Sequence, residues 1–262
     1  MRDELGITTD PASPFSDAYH QTEVEEFLRY TTPEAVVGVG NALYKVVDIK
    51  GAILQDYFNK FFVVNARTPV FMREGDTWMS ITRMEVQSMW CPLQKAQGRV
   101  GTSGLGLGYF AIKAAKDPLV NSVDVWEIDP DVIELFNKVH VNLPPWIRAR
   151  INIHNQSIYD MTCEKLDFFL ADHYLEAGME EMLSDVETIK AKNKIKRYAI
   201  WTQERYLLEL LLENQIRVTT LSPETRQLFR LWTESGLDRL RDSGNDEDFL
   251  QEFLSVYKKH LR

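Results

Sequence analysis

Residues 98–138 read GRVGTSGLGLGYFAIKAAKDPLVNSVDVWEIDPDVIELFNK, and this stretch decides the fold. A short Val-containing strand runs into Gly104, Gly106 and Gly108, a helical segment follows, and a second apolar strand ends on Glu127. Strand, glycine turn, helix and strand make one β-α-β unit, a frame that α/β folds build around a nucleoside. Glycine lets the backbone turn sharply and come close to a ligand. An acid at the next strand tip, about 20 residues on, can accept hydrogen bonds from both ribose hydroxyls. The expected cofactor loop is therefore Ser103, Gly104, Leu105, Gly106 and Gly108, with Glu127 and Ile128 at the second tip. The plain alternative for the glycines is a tight strand-to-helix turn.

The position three after Gly106 is Tyr109, where the dinucleotide fingerprint needs a small residue for helix packing, so NAD is disfavoured. No Lys-Ser/Thr pair follows the glycines, which argues against a P-loop and nucleotide hydrolysis. A nucleoside without a pyrophosphate remains, and S-adenosylmethionine is the common case. Asp129 and Pro130 read as the cap and first residue of the next helix.

Further along, Ile151 and Ile153 mark a third strand, and residues 167–171, containing FFLA, a fourth. Asn155 and Gln156 follow the third strand. Their amides suit a purine edge, and they equally suit an ordinary turn. Asp172, His173 and Tyr174 follow the fourth strand at the rim, where loops carry chemistry. Asp172 is the preferred catalytic position, able to take a proton from an attacking group or to attract a cationic sulfur; the alternative is a helix cap. His173 comes second, since a His beside an Asp makes no triad, and no Ser-His-Asp order in a nucleophile-elbow context supports hydrolysis. Tyr109, Trp126 and Tyr174 are candidate pocket walls.

Upstream, Val24, Phe27 and Leu28 predict a short helix ending near Tyr30. ALYKVVDI, FFVVNA and PVFMREGDTWMSI predict a small antiparallel sheet, with Gly51 and Glu74-Gly75-Asp76 as turns. A helix and link over 83–95 leads into the glycine strand. Downstream, 179–188 reads as a helix, 197–201 as a fifth strand, 206–212 as an apolar helix, and the region from Pro223 as terminal helices. The expected division is a helix and small β domain over 1–90, a nucleoside-binding domain over 91–220 and a helical extension over 221–262. The basic run Lys190, Lys192, Lys194, Lys196 and Arg197 reads as a solvated surface.

The 262 residues carry a net charge of −9, which disfavours nucleic acid and anionic membrane as partners. Cys91 and Cys163 show neither disulfide-framework nor zinc spacing. The expected partner is a small-molecule acceptor. The apolar C-terminal helices suit core packing or a homodimer contact. With no long apolar run and no basic-then-apolar start, the expected location is cytoplasmic.

SGLGLG, VDVWEIDPDVIELF, INIHNQS and LDFFLADHY, preceded by REGDTWMSITRMEVQSM, resemble the spermidine synthase-like branch of the S-adenosylmethionine-dependent transferases over residues 61–172. The resemblance implies a Rossmann-like methyltransferase fold, a mostly parallel sheet with helices on both faces, carrying an N-terminal β-hairpin domain. It also implies S-adenosylmethionine or its decarboxylated form as cofactor, Glu127 on the ribose and Asp172 as the catalytic acid. Asn155 stands where that family usually has an Asp near adenine, and HYLEAGMEEM replaces its Ser- and Pro-containing segment after the catalytic Asp. After Trp201 no clear pair of closing strands follows. The leading expectation is methyl transfer to a small molecule by direct in-line attack. The alternatives are aminopropyl transfer to a polyamine, with Glu176, Glu180 and Glu181 near a cationic acceptor, and a non-catalytic nucleoside-binding regulator.

Overall fold

The protein is represented by a computed structural model that describes residues 16–55, 57, 61–163, 165–174 and 179–202. The expected helices at 206–212 and beyond Pro223, the first 15 residues, Glu176 and the side chain of Glu180 lie outside the described residues.

Helix α1 (Asp17–Tyr30) starts where the Ser16 hydroxyl accepts the Tyr19 N–H at 3.1 Å, and it buries Val24 and Phe27. Four antiparallel strands follow in sequential order: β1 (Val36–Val39), β2 (Ala42–Gln55), β3 (Phe61–Arg73) and β4 (Asp76–Ser80). The β3–β4 turn places Glu74 at φ 53° and Gly75 at φ 93°. Positive φ at both central residues matches the twist of a two-residue hairpin. Gly51 is not the expected turn. β2 runs through it as a bulge, the register shifting between Lys50 and Ala52, with Gly51 at φ 64° and its N–H donated to Asn65 Oδ1 at 3.0 Å. The segments on either side are both strand-forming, so one extra residue is absorbed without ending the ladder.

Helix α2 (Arg83–Lys95) leads to a five-stranded parallel sheet. Its strands are β5 (Gly98–Ser103), β6 (Val120–Glu127), β7 (Ile151–Asn155), β8 (Phe168–Ala171) and β9 (Tyr198–Ile200), in the order β7-β6-β5-β8-β9. Between them run α3 (Tyr109–Lys116), α4 (Pro130–Val139), the single turn α5 (Pro145–Arg148) and α6 (Met179–Lys192). α6 extends past the expected 179–188. The chain winds outward from β5 through β6 to β7, then returns to β8 beside β5. Such a reversal opens a crevice beyond the carboxyl ends of the two strands, where α/β sheets bind ligands. This is an α/β, Rossmann-like fold with a separate antiparallel sheet. Among the described residues no helix is long and apolar enough to cross a membrane.

One contiguous core joins both sheets: Tyr44, Phe71 and Met89 from the first part pack with Val100, Ala111 and Val125 from the second. On the other side Glu23 of α1 accepts from the Tyr109 hydroxyl at 2.9 Å and from Lys113 at 2.8 Å, tying α1 to α3.

His140 closes α4 and is buried, with its ring edge-on to Phe27 at 5.1 Å between centroids and 4.6 Å from that of Phe136. Its Nε2–H donates to the Leu107 carbonyl at 2.8 Å, pinning the glycine loop to the helix end. Burial holds its pKa down at about 4, helped by the Arg148 guanidinium and opposed by that hydrogen bond. A histidine kept neutral in the fold contributes stability above its unfolded value near 6.5, and loses it as pH falls towards 4. That difference corresponds to roughly 3 kcal/mol. Denaturant titrations of wild type and His140→Gln should therefore converge as pH drops from 6.5 to 4; a constant gap would contradict a neutral buried ring.

Candidate functional site

The crevice is assembled from the tips of β5, β6, β7 and β8, and its roof comes from β4 and α2. Gly104, Gly106 and Gly108 hold φ of 79°, 48° and 77°, a region open chiefly to glycine. Each also has a neighbour that a Cβ would strike. For Gly104 it is the Asp172 carbonyl oxygen, for Gly106 the Met79 sulfur, and for Gly108 the Phe136 ring. The close approach anticipated for a ligand is thus also demanded by the protein itself. Met79 of β4 accepts the Leu107 N–H on its sulfur at 2.9 Å, so the antiparallel sheet clasps the loop directly.

Glu127 ends β6 buried, 9% exposed. Its Oε2 accepts the Leu105 N–H and its Oε1 the Asp129 N–H, both at 2.9 Å. Burial raises its pKa, with the Asp129 charge adding, while those main-chain bonds pull it down. A carboxylate offers about four lone-pair sites, so two stay open towards the cavity after both amides are served. Ile128, beside it, is largely exposed and lines the cavity.

Asn155 donates its amide to the main-chain carbonyls of Glu127 and Ile128, at 3.1 and 3.0 Å. It braces the tip of β6 and does not line the cavity. Gln156 does line it, with Nε2 donated to the Asp160 carbonyl at 2.9 Å. Gly108 sits behind the loop as the cap of α3 and is likewise off the cavity wall.

Asp172, His173 and Tyr174 leave β8 and all line the cavity. The Asp172 N–H donates to the Ser103 Oγ at 2.9 Å, and Ser103 Oγ lies 2.7 Å from His173 Nδ1. The tautomer of His173 sets which of the two donates, and its Nε2 lies 3.6 Å from Asp185 Oδ2. Tyr174 and Tyr159 donate their hydroxyls to that same oxygen at 3.0 Å each. Burial and the Asp185 charge push the Tyr159 hydroxyl up to about 12, and the same influences raise Tyr174. Burial lowers His173. Ser103 is fully buried, so its hydroxyl serves to orient the His173 ring and is not exposed as a nucleophile.

The cavity measures about 320 Å³, within the range of small-molecule sites. Tyr109, Trp126 and Tyr174 line it as expected, joined by Trp78, Met89 and Trp201. Among the described residues its charged lining is three carboxyl groups, Glu85, Glu127 and Asp172, beside His173 and one guanidinium. That guanidinium, Arg73, lies 2.9 Å from Asp129 and is stacked over Trp78, so its charge is already answered. Among the described residues no His, Cys, Asp or Glu cluster could hold a metal. Glu85, Tyr159 and Asp185 were missed from sequence. Glu85 and Asp185 stand on α2 and α6, whose register towards the crevice depends on how those helices dock, Tyr159 stands on the short 3-10 turn Ile158–Asp160, and no local motif marks them.

Solved structures similar to this chain include a probable spermidine synthase from Corynebacterium glutamicum ATCC 13032, at 13% identity and TM-score 0.43, covering 64% of each chain. A spermidine synthase from Thermotoga maritima is 15% identical with TM-score 0.40, covering 63% of this chain and 55% of that one. The S-adenosylmethionine-dependent methyltransferase SibL, in its apo form, is 21% identical with TM-score 0.34, covering 45% of this chain and 37% of that one. The chain thus spans less than two thirds of the length of each of these three proteins. No family model matches the chain, and no curated protein does. Likenesses at this level leave the chemistry to the site itself.

The two kinds of close approach in the loop separate experimentally. Gly106→Ala should cost about 1–2 kcal/mol for left-handed backbone at a residue with a Cβ, and on the order of 1 kcal/mol more for the Leu107 N–H bond lost as the Met79 thioether swings aside. Gly104→Ala should cost more, since it meets a main-chain carbonyl. Urea denaturation measures both, and equal losses would contradict this packing.

Proposed function

We propose that this chain is an S-adenosylmethionine-dependent transferase that moves a methyl group to a small-molecule acceptor by direct in-line attack. The observation that carries the reading is Glu127, a buried carboxylate at the tip of the second strand, oriented by two main-chain amides and keeping lone pairs towards the cavity. That donor set fits a ribose diol: both hydroxyls need acceptors, and the carboxylate presents them without reorganising. Leu105 and Ile128 offer apolar surface to a purine, and Gln156 an amide at its edge. When bound, the cofactor supplies an electrophilic carbon on a positively charged sulfur.

The chain's own part is positioning and charge. A cavity whose charged lining is mainly carboxylic attracts a cation, and the aromatic walls exclude water around the reacting groups. Asp172 stands at the β8 tip with its main chain pinned to Ser103, so its carboxyl is placed to orient an acceptor and to take its proton. The second reading is aminopropyl transfer to a polyamine, and the same surplus of carboxyl groups is the observation in its favour.

Calorimetric titration of the full chain with S-adenosylmethionine, its decarboxylated form, S-adenosylhomocysteine and NAD tests the reading. Binding of adenosyl-sulfur ligands, no binding of NAD, and at least about tenfold weaker binding by Glu127→Ala are expected, the loss matching charge-assisted hydrogen bonds to a buried carboxylate. Preference for the decarboxylated form, with aminopropyl product from putrescine, would replace methyl transfer by the second reading. NAD binding would overturn both.

A further inference from the structure

Glu85 and Asp172 reach the same cavity from different parts of the chain, one from the first turn of α2, the other from the rim of β8. Glu85 is 9% exposed, and among the described residues neither carboxyl group has a hydrogen-bond or ion-pair partner. The groups around them are engaged elsewhere. The Tyr109 hydroxyl of α3 donates to Glu23, Arg73 of β3 lies against Asp129, and Glu127 of β6 is held by main-chain amides. His173 and Tyr174 face Asp185 of α6. Among the described residues no cation on the cavity wall is left to neutralise the two acids, and two negative charges within one cavity of low dielectric are costly.

We infer that Glu85 and Asp172 work as one carboxyl pair holding a single proton between them, Glu85 being the positioning partner that keeps Asp172 ready to take the acceptor's proton. Burial pushes the Asp172 carboxyl up to about 7, and burial together with the Asp172 charge pushes Glu85 well above the usual carboxylate range. Two groups so placed lose their protons in two steps that belong to the pair.

The inference deepens the proposed transferase reading and rests on it for its chemical purpose. With one proton the pair carries one negative charge, the complement of a sulfonium. The acceptor's X–H bond breaks, its proton passes to the ionised carboxylate oxygen, and its electron pair takes the carbon from the cofactor's sulfur, which keeps the C–S pair and loses its positive charge. The pair goes from one negative charge to none as the sulfur goes from one positive charge to none. The pair and the sulfur together are neutral before and after transfer, which avoids stranding a charge where solvation is poor.

Two measurements on the full-length protein test this, one with no ligand. A carboxyl group raised in the fold stabilises below its unfolded value, and that stability is lost as pH rises through its folded value. Above pH 7 the wild type should therefore keep losing stability, its folding constant falling about tenfold per pH unit relative to Glu85→Gln, which lacks the second proton. Parallel curves for the two proteins would overturn the pair. Calorimetry at pH 6 in buffers of different ionisation enthalpy then counts protons released on binding. Wild type should release about one more proton with S-adenosylmethionine than with S-adenosylhomocysteine, and Asp172→Asn should abolish the difference. Equal release by wild type with the two ligands would overturn the pair's role opposite the sulfonium. If the stability curves diverge as expected but neither ligand binds, the pair stands and the transferase reading fails.

Discussion

The hydrogen bond from the Leu105 N–H to Glu127 Oε2 joins the tips of two neighbouring parallel strands across the loop that separates them. Everything else in the site depends on that loop being held shut against the sheet. Positive φ at three glycines lets the chain fold back, Met79 clasps it from the antiparallel sheet, and His140 holds the Leu107 carbonyl from the end of α4. Three separate parts of the structure, β6, β4 and α4, thus converge on the five residues 104–108. Because protein holds the loop on its sides away from the cavity, the carboxylate bonded to it is oriented before any ligand arrives, the kind of preorganisation that electrostatic recognition requires.

The second constraint is charge. Burial raises Glu85, Glu127 and Asp172 alike, and among the described residues the cavity supplies no free cation to offset them. Elsewhere the protein answers its buried acids. Asp124 bonds Arg99 and His154, Glu23 bonds Tyr109 and Lys113, and Asp185 takes two phenol hydroxyls. The cavity is where that pattern stops. Buried acids left without partners mark functional positions more often than structural ones.

Much of the frame could be read from the chain because its signals are local. VDVWEIDP states a strand, an acid at its tip and a capped helix within eight residues, and the helix over 83–95 falls where apolar spacing places it. Gly51 was misread because a glycine between two strand-like runs looks the same whether the chain turns or bulges; only pairing with β3 distinguishes them. Asn155 was placed at the tip of β7, but its amide is spent on the neighbouring strand's carbonyls, a partner 27 or more residues away in sequence.

The sequence by itself determined the β-α-β order, the glycine hinge and which acids end on strand tips, since strand and helix periodicity and backbone freedom are properties of adjacent residues. Tertiary structure alone decided that Met79 would close over the loop, that Ser103 would meet His173 beside Asp185, and that Glu85 and Asp172 would line one cavity. Those pairings span tens of residues of chain, and they arise from how α2, β4 and α6 pack on the sheet, which no local pattern encodes.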